Sequence, residues 1–591
     1  MRKVGVMSKL LFILPSGDYC HSAVFHRLTK EALASGMEAE ILAEDVGAIT
    51  EACEGAQALI GDVVTSGHIM QQVKAAHPHL AVIGIYASEQ GASINEAIDD
   101  TYSNLLKYRC TMMLGLLPSE EASANRSLVI TGERGIKPSN GLDEGAKSFI
   151  DLLRSRVGNR HHRTELTLNG LPDCISGDLA ETIRYTEVWA KWSLFPKYES
   201  RDPRYPGAEF GFIAKRTNVG TLITARASNK ERPGVDDFTL ITDIGDDGTV
   251  HVRSSKRKAS LNAPLAHRIL QERPEINYVV HSHVFLPEGV TVPDLSTPGT
   301  FDDWKAVAQA VHGGARIVNQ PHHGTLILLR DPEELLPLLK ENSLYRHNSD
   351  LYDLAYARFQ SAPDKPTSLE RAIGNMTLPN QAKVLDLCCG TGASTLALQN
   401  LGLKDVDFAD GSPSMLAVAE RRLGRRGKVA ELEDLGNIPA RTYDLVTVRQ
   451  AFAYVEPENL DKVARNIACI LKPSGRFVFN SFAQIPSGAA KARDIETELD
   501  NILIRTREDN RITDDDVLHT QRTEIIDFDK GRWDAVLDVN QFYQHAPDRL
   551  REAFLRAGLS FDMQQYGNSI CYVIVKPQHG DHIIWSDAAV E

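Results

Sequence analysis

Val384-Leu385-Asp386-Leu387-Cys388-Cys389-Gly390-Thr391-Gly392 decides how this chain is read. An apolar run closes around an acidic residue, a turn of small residues follows, and Ala393 to Gln399 is rich in helix formers. Strand, tight glycine turn and helix start make the geometry with which doubly wound α/β folds hold a nucleoside at the carboxyl ends of their strands. Glycines belong in that turn because a side chain would keep a ligand off the backbone. A G-x-G alone is weak evidence, so the residues downstream carry the decision.

Eighteen residues past Gly392, the segment Val406-Asp407-Phe408-Ala409 ends at Asp410 and is followed by Gly411-Ser412-Pro413. An acidic residue closing a second strand is able to accept both hydroxyls of a ribose. A third segment leads to Glu433-Asp434-Leu435-Gly436, then come Tyr443 to Val448, and Ile470 to Phe479 reads as helix end, turn and strand. In this order the segments resemble the Rossmann-like S-adenosylmethionine (SAM)-dependent methyltransferases, over roughly residues 344–577. The resemblance implies that Asp386, Gly390 and Gly392 line the methionine part of SAM. It also implies that Asp410 holds the ribose and that Asp434 and Leu435 face the adenine. Arg449, Gln450 and Tyr454, after the fourth strand, stand where a methyl acceptor would sit, and each serves equally well as a structural loop residue.

The 591-residue chain is long enough for three or four domains, with 42% hydrophobic and 24% charged residues. Its net charge of −14 argues against nucleic-acid binding, which needs a basic surface; the run Arg253 to Lys258 reads as a solvated turn. Eight cysteines without a C-x-x-C favour free thiols in a reducing cytoplasm. Neither a targeting segment nor a membrane span is expected: Met1-Arg2-Lys3 precedes too short an apolar stretch, and Met7 is an alternative start.

From Leu10 onward, short apolar runs (Leu10–Leu14, Glu38–Leu42, Ala58–Gly61, Leu80–Ile85) alternate with helical patterns. That alternation predicts an open parallel sheet of flavodoxin-like type over residues 1–130. Asp62 follows a strand, as the phosphoaccepting aspartate of receiver domains does. The acidic pair expected after the first strand is replaced by Pro15-Ser16-Gly17-Asp18, which favours a docking, regulatory or gating role. Residues 131–177, with Arg160-His161-His162-Arg163, read as a linker carrying a helix from Leu142 to Arg156.

Tyr278-Val279-Val280-His281-Ser282-His283 is a strand ending in H-x-H, and period-2 spacing puts both imidazoles on one face. Arg316 to Gly324 contains Pro321-His322-His323, which offers candidate third ligands. Three histidines leave a coordination position open, as catalytic metal sites do. Hydrogen-bonded surface or core histidines are the alternative. The order of neighbouring segments, from Gly211–Arg216 through Ala259-Ser260 and His267 to Arg273-Pro274-Glu275, resembles the class II aldolase and adducin family over residues 178–343. This implies an α/β/α domain whose divalent metal, most simply zinc, is held by His281, His283 and His323. It also implies an assembly of like chains as one expectation. Asn262 or Ala263 stands where the family carries its acid/base glutamate, and Gly211-Phe212-Ile213-Ala214 replaces its phosphate-binding turn. Glu288 is a candidate substitute carboxylate.

These readings predict three α/β domains (flavodoxin-like, class II aldolase-like and Rossmann-like methyltransferase) and a tail over residues 578–591. The expected protein is a cytoplasmic multifunctional enzyme acting on small molecules, with no nucleic-acid or membrane partner. It would join methyl transfer from SAM to metal-assisted lyase chemistry: aldol, decarboxylation or dehydration. Two alternatives keep the middle domain as a non-catalytic scaffold, or make the chain a SAM-sensing regulator.

Overall fold

The computed structural model describes residues 8–14, 19–89, 92–117, 126–131, 135–157, 162–196, 209–292, 299–347, 349–356, 367–482, 493–499, 501–512, 516–566 and 569–578. Residues 1–7, 15–18, 160–161 and 579–591, on which several sequence expectations fell, lie outside them. The chain divides into two compact units. One comprises Met1–Leu338, Asp494–Thr506 and Arg522–Leu537, and the other Leu339–Arg493, Arg507–Gln521 and Asp538–Glu591.

The first unit begins with seven strands: β1 (Lys9–Ile13), β2 (Glu38–Leu42), β3 (Ala56–Asp62), β4 (Ala81–Ala87), β5 (Met112–Leu116), β6 (Ser127–Thr131) and β7 (Ile136–Ser139). Their order is β2-β1-β3-β4-β5-β6-β7; neighbours among the first five pair parallel, and β6 and β7 add antiparallel. Strands such as β5 are apolar throughout because helices cover both faces of a parallel sheet. The expected boundary at residue 130 and the linker after it are corrected here. β6 and β7 extend the sheet, and helix Leu142–Val157 buries Ala146, Phe149, Ile150 and Leu153 with Leu10, Phe12 and Phe25. An amphipathic helix after two short strands reads locally like a linker helix; only the face it buries against reveals its domain. Asp62 is 2% exposed and caps helix Val63–Ala76, accepting the Val64 and Thr65 N–H groups at 2.9 Å. It is a buried cap, not an exposed phosphoacceptor.

A second sheet in the same unit holds β8 (Thr164–Thr167), β9 (Phe212–Thr217), β10 (Gly220–Thr224), β11 (Phe238–Ile244), β12 (Val250–Ser254), β13 (Tyr278–Ser282), β14 (Val290–Thr291), β15 (Ile317–Gln320) and β16 (Gly324–Leu329). The order is β14-β15-β16-β13-β9-β10-β11-β12-β8. Alternation along β10 sends Ile223 to the face covered by helices Ala263–Glu272 and Phe301–His312, and Leu222 to the face covered by helix Ser176–Ala190. The H-x-H strand β13 lies centrally, between β16 and β9.

In the second unit, β17 (Lys383–Leu387), β18 (Asp405–Asp410), β19 (Lys428–Val429), β20 (Tyr443–Val448) and β21 (Leu471–Phe482) are parallel, in the order β19-β18-β17-β20-β21. β26 (Ser560–Tyr566) and β27 (Ser569–Val575) close the edge antiparallel, β27 against β21. β22 to β25 (Arg493–Leu499, Ile502–Ile512, Asp516–Asp527, Arg532–Tyr543) form a separate four-stranded sheet. The expected single domain over 344–577 is therefore corrected. Leu503, Ile526, Phe528 and Trp533 belong to the first unit's core, with Leu11, Leu59 and Tyr102.

This assignment predicts the behaviour of a fragment. Residues 344–591 alone would expose Leu503, Ile526, Phe528 and Trp533, each worth about 1.5–3 kcal/mol when buried. Size-exclusion chromatography is expected to show that fragment aggregated while the full chain elutes as a discrete species. A monodisperse fragment would contradict the assignment. No described helix is long and apolar enough to cross a membrane.

Candidate functional site

The glycine loop after β17 is built on left-handed backbone: φ is 58° at Cys388, 57° at Gly390 and 85° at Gly392. The two glycines do different work. A Cβ on Gly390 would meet no atom within 4 Å, so open space lies above it. A Cβ on Gly392 would come to 3.1 Å from Ala419 Cβ, so this glycine lets helix Pro413–Leu423 approach. Asp386 differs from the expectation that it lines the cofactor. It is fully buried, and its carboxylate accepts the hydroxyls of Ser394 and Thr395 at 2.7 Å and of Thr447 at 3.2 Å. Burial raises its pKa, and it holds the loop from below rather than facing a ligand.

Asp410, half-buried at the end of β18, accepts the Gly390 N–H on Oδ2 and the Ser412 N–H on Oδ1, both at 2.8 Å. Each oxygen keeps a second acceptor position, which is what a ribose diol requires. Desolvation raises this carboxyl too. Asp434 is exposed and accepts the Gly436 N–H at 3.1 Å, whereas Leu435 packs its side chain into the core with Leu385 and Val446. Leu435 therefore has only its backbone to offer an adenine. Burial pushes the Cys388 thiol far above its ordinary range, so it is no nucleophile.

The segment ahead of β17 covers this loop, and its residues were missed in the sequence. Asp353 accepts the Thr391 hydroxyl at 2.6 Å and pairs with Arg422, which also donates to the Thr391 carbonyl at 2.9 Å. Ser412 Oγ donates to the Tyr345 carbonyl. Tyr345, Tyr352 and Tyr356 recur seven and four residues apart, a helix-like spacing that was the available signal. Tyr345 and Tyr454 share a hydroxyl hydrogen bond of 3.0 Å. Gln450, with φ 58°, donates its N–H to Asn480 Oδ1 at 2.8 Å and lines a cavity of about 330 Å³ with Thr367, Ser368, Asn480 and Tyr566. Arg449 is half-buried and its charge acts on Asp386.

In the first unit, His281, His283 and His323 converge. Their ring centroids are 4.7–5.2 Å apart, and one ring nitrogen from each lies within 4.8 Å of the others. β13 supplies His281, the residue just past its end is His283, and the turn between β15 and β16 supplies His323. Gly324 is needed at that turn: a Cβ there would stand 2.2 Å from the Ser282 carbonyl oxygen. His322, at φ 57°, instead directs Nδ1 to the Ile136 carbonyl at 3.1 Å. The Thr325 carbonyl lies 3.1 Å from His281 Nδ1, which assigns the proton there and leaves Nε2 with a lone pair. Buried Nε2 of His281 and Nδ1 of His323 have no hydrogen-bond partner among the described residues. Unpartnered buried nitrogens beside one another are what a metal would satisfy. Burial lowers His281 to about 4 and holds His323 well below its ordinary value, so both rings are neutral, the ligating form.

Glu288 is exposed while the three histidines are buried, so it does not fit the role of substitute carboxylate. Asn262 and Ala263, at the start of helix Ala263–Glu272, are buried and bring no carboxylate. The residue that sequence reasoning missed is Lys230. It is 1% exposed, its Nζ donates to the Glu209 carbonyl at 2.6 Å, burial lowers it to about 8, and its charge reaches His281. No motif marked it.

Residues 384–475 match the family model described as "Methyltransferase domain". This stretch is similar to methyltransferase domains. A demethylmenaquinone methyltransferase of Leptospira interrogans is 38% identical over 103 residues, covering 16% of this chain and 41% of that protein. The probable S-adenosylmethionine-dependent methyltransferase CRG1 of Saccharomyces cerevisiae is 30% identical over 129 residues, covering 21% of this chain and 43% of that one. The chain thus spans about two fifths of the length of these curated relatives. Among solved structures, DesVI of Streptomyces venezuelae is 20% identical with a TM-score of 0.34, covering 39% of this chain and 98% of that one.

Proposed function

We propose that the second unit transfers a methyl group from SAM to a small molecule. What carries the reading is the pairing of Asp410, with one acceptor position open on each oxygen, and the open space over Gly390. SAM supplies an already activated methyl on its sulfonium, so the protein's task is alignment and removal of water. Asp386 and its three hydroxyl partners hold the loop, Asp410 takes the ribose, and the Tyr345–Tyr356 segment covers the site. Gln450 and Tyr454 stand at the acceptor side. The deciding experiment is calorimetric titration of SAM into the full chain, followed by detection of S-adenosylhomocysteine when candidate acceptors are added.

The three-histidine cluster favours a second activity in the first unit. His281, His283 and His323 would hold a divalent metal, which as a Lewis acid supports lyase-type chemistry on a carbonyl compound. Lys230 is the proton-carrying group in place of the glutamate, since burial has brought it near neutrality.

His281 and His323 predict an acid response. Their folded pKa values lie below the ordinary value of about 6.5. As pH falls, the unfolded chain therefore takes up protons first. Their contribution to stability is complete above about pH 6.5 and is lost toward about pH 4 for His281. In metal-free protein the urea midpoint is expected to fall over this window, and to fall less in His281→Gln. Equal slopes in the two proteins would contradict the assignment.

A further inference from the structure

Asp538, in the second unit, is a fully buried carboxylate without a cationic side chain. Leu344 N–H donates to its Oδ1 at 2.8 Å, and Tyr356 O–H donates to its Oδ2 at 3.1 Å. Those are its hydrogen bonds among the described residues, and no lysine, arginine or histidine faces it there. A carboxylate offers about four acceptor positions, so about half of its capacity is unused. An uncompensated buried charge is unfavourable unless something brings the opposite charge. Burial accordingly pushes this carboxyl up to about 6.

The surroundings of Asp538 are phenolic. Tyr352 and Tyr356 stack at 4.5 Å, Tyr345 lies 5.1 Å from Tyr352 and 6.2 Å from Tyr356, and Tyr454 stands 6.0 Å from Tyr345. Tyr352 hydrogen-bonds Tyr345, which shares its 3.0 Å bond with Tyr454. The carboxylate acts electrostatically on all four phenols, and Tyr454 also feels Cys388 of the glycine loop. The hydroxyl bonds join Tyr454, Tyr345 and Tyr352, and Tyr356 separately donates to the carboxylate. Tyr345, Tyr352 and Tyr454 are half-buried as residues. The other acidic group beside Tyr352, Asp353, is already paired with Arg422.

We propose that the methyl acceptor is an amine that enters as its ammonium ion, and that Asp538 with the tyrosines takes its charge and then its proton. The proposal rests on the methyltransferase reading and names its substrate class. Ring faces of tyrosine attract cations, and phenol hydroxyls relay hydrogen bonds to a carboxylate. An anionic acceptor would be repelled. A neutral alcohol would bring no compensating charge and is far too weak an acid for a carboxylate base, whereas an ammonium is a closer match. In the step, an N–H proton passes to the carboxylate and leaves a nitrogen lone pair. That pair forms the N–CH3 bond as the S–CH3 bond breaks, and the S–CH3 electrons remain on sulfur as the thioether of S-adenosylhomocysteine. The methylated amine then leaves, and the carboxyl proton returns to solvent.

The test uses the full chain saturated with S-adenosylhomocysteine, which lacks the sulfonium charge. Phenethylamine and cyclohexylamine are titrated beside 2-phenylethanol and cyclohexanol. The amines are expected to bind at least tenfold more tightly than the alcohols. Asp538→Asn should remove that preference while S-adenosylhomocysteine still binds as in the parent, which certifies the fold. Tyr356→Phe, which frees the carboxylate of a donor, should tighten amine binding a few-fold. Amines binding no better than alcohols would overturn the proposal, as would equal losses for both in Asp538→Asn or weaker amine binding in Tyr356→Phe. If Asp538→Asn weakens SAM but leaves amine affinity intact, the carboxylate answers the sulfonium and the proposal fails. A chain that binds no S-adenosylhomocysteine overturns the methyltransferase reading itself.

Discussion

Protein purified without chelators is expected to carry close to one divalent ion per chain, most readily zinc, and the His281→Ala/His283→Ala variant to carry none. The double variant removes two of three converging ring nitrogens, and one imidazole does not hold a metal against buffer. The effect is large because these side chains are already buried side by side, so the folded chain has met the cost of arranging them. Elemental analysis reads the loss directly. SAM affinity, measured on the same samples, should not move, since Asp410 and the glycine loop belong to the other unit. Metal-free parent protein would leave the first unit a scaffold. Retained metal in the double variant would place the ion elsewhere.

Asp410→Ala is expected to weaken SAM by about 2–4 kcal/mol, roughly 30- to 1000-fold in Kd, through loss of charge-assisted hydrogen bonds to the ribose. The structure adds a second contribution. Asp410 also anchors the N–H groups of Gly390 and Ser412, so the variant loosens the loop over which the methionine part would lie. Asp410→Asn separates the two effects, because its amide oxygen keeps one of those anchors while the charge is gone. An unchanged calorimetric Kd in Asp410→Ala would remove the ribose assignment.

Much of the cofactor loop was legible because its information is local. The apolar strand and the residues able to turn left-handed are contiguous, and the acid at the end of the next strand follows twenty residues after Gly390. Asp386 looks like a ligand residue in the motif, yet it faces three hydroxyls below the loop. A motif fixes a position along the chain but not the direction a side chain takes. Leu435 gives its side chain to the core, so only its backbone is left for the role expected of it. Lys230 left no local trace because its burial depends on Glu209, twenty-one residues away.

By itself the sequence determined what periodicity encodes: that His281 and His283 share a strand face, that Asp410 ends a strand, and that the second unit is built on a parallel sheet. Alternation of two and of 3.6 residues fixes which side chains are neighbours along one element. Only the tertiary structure joined β6, β7 and helix Leu142–Val157 to the first sheet, and gave Leu503 and Trp533 to the first unit's core. It alone brought Asp538 to Tyr356, 182 residues away in sequence. Such pairings are settled by which apolar faces and unsatisfied polar groups meet when distant segments pack, and no local pattern records that meeting.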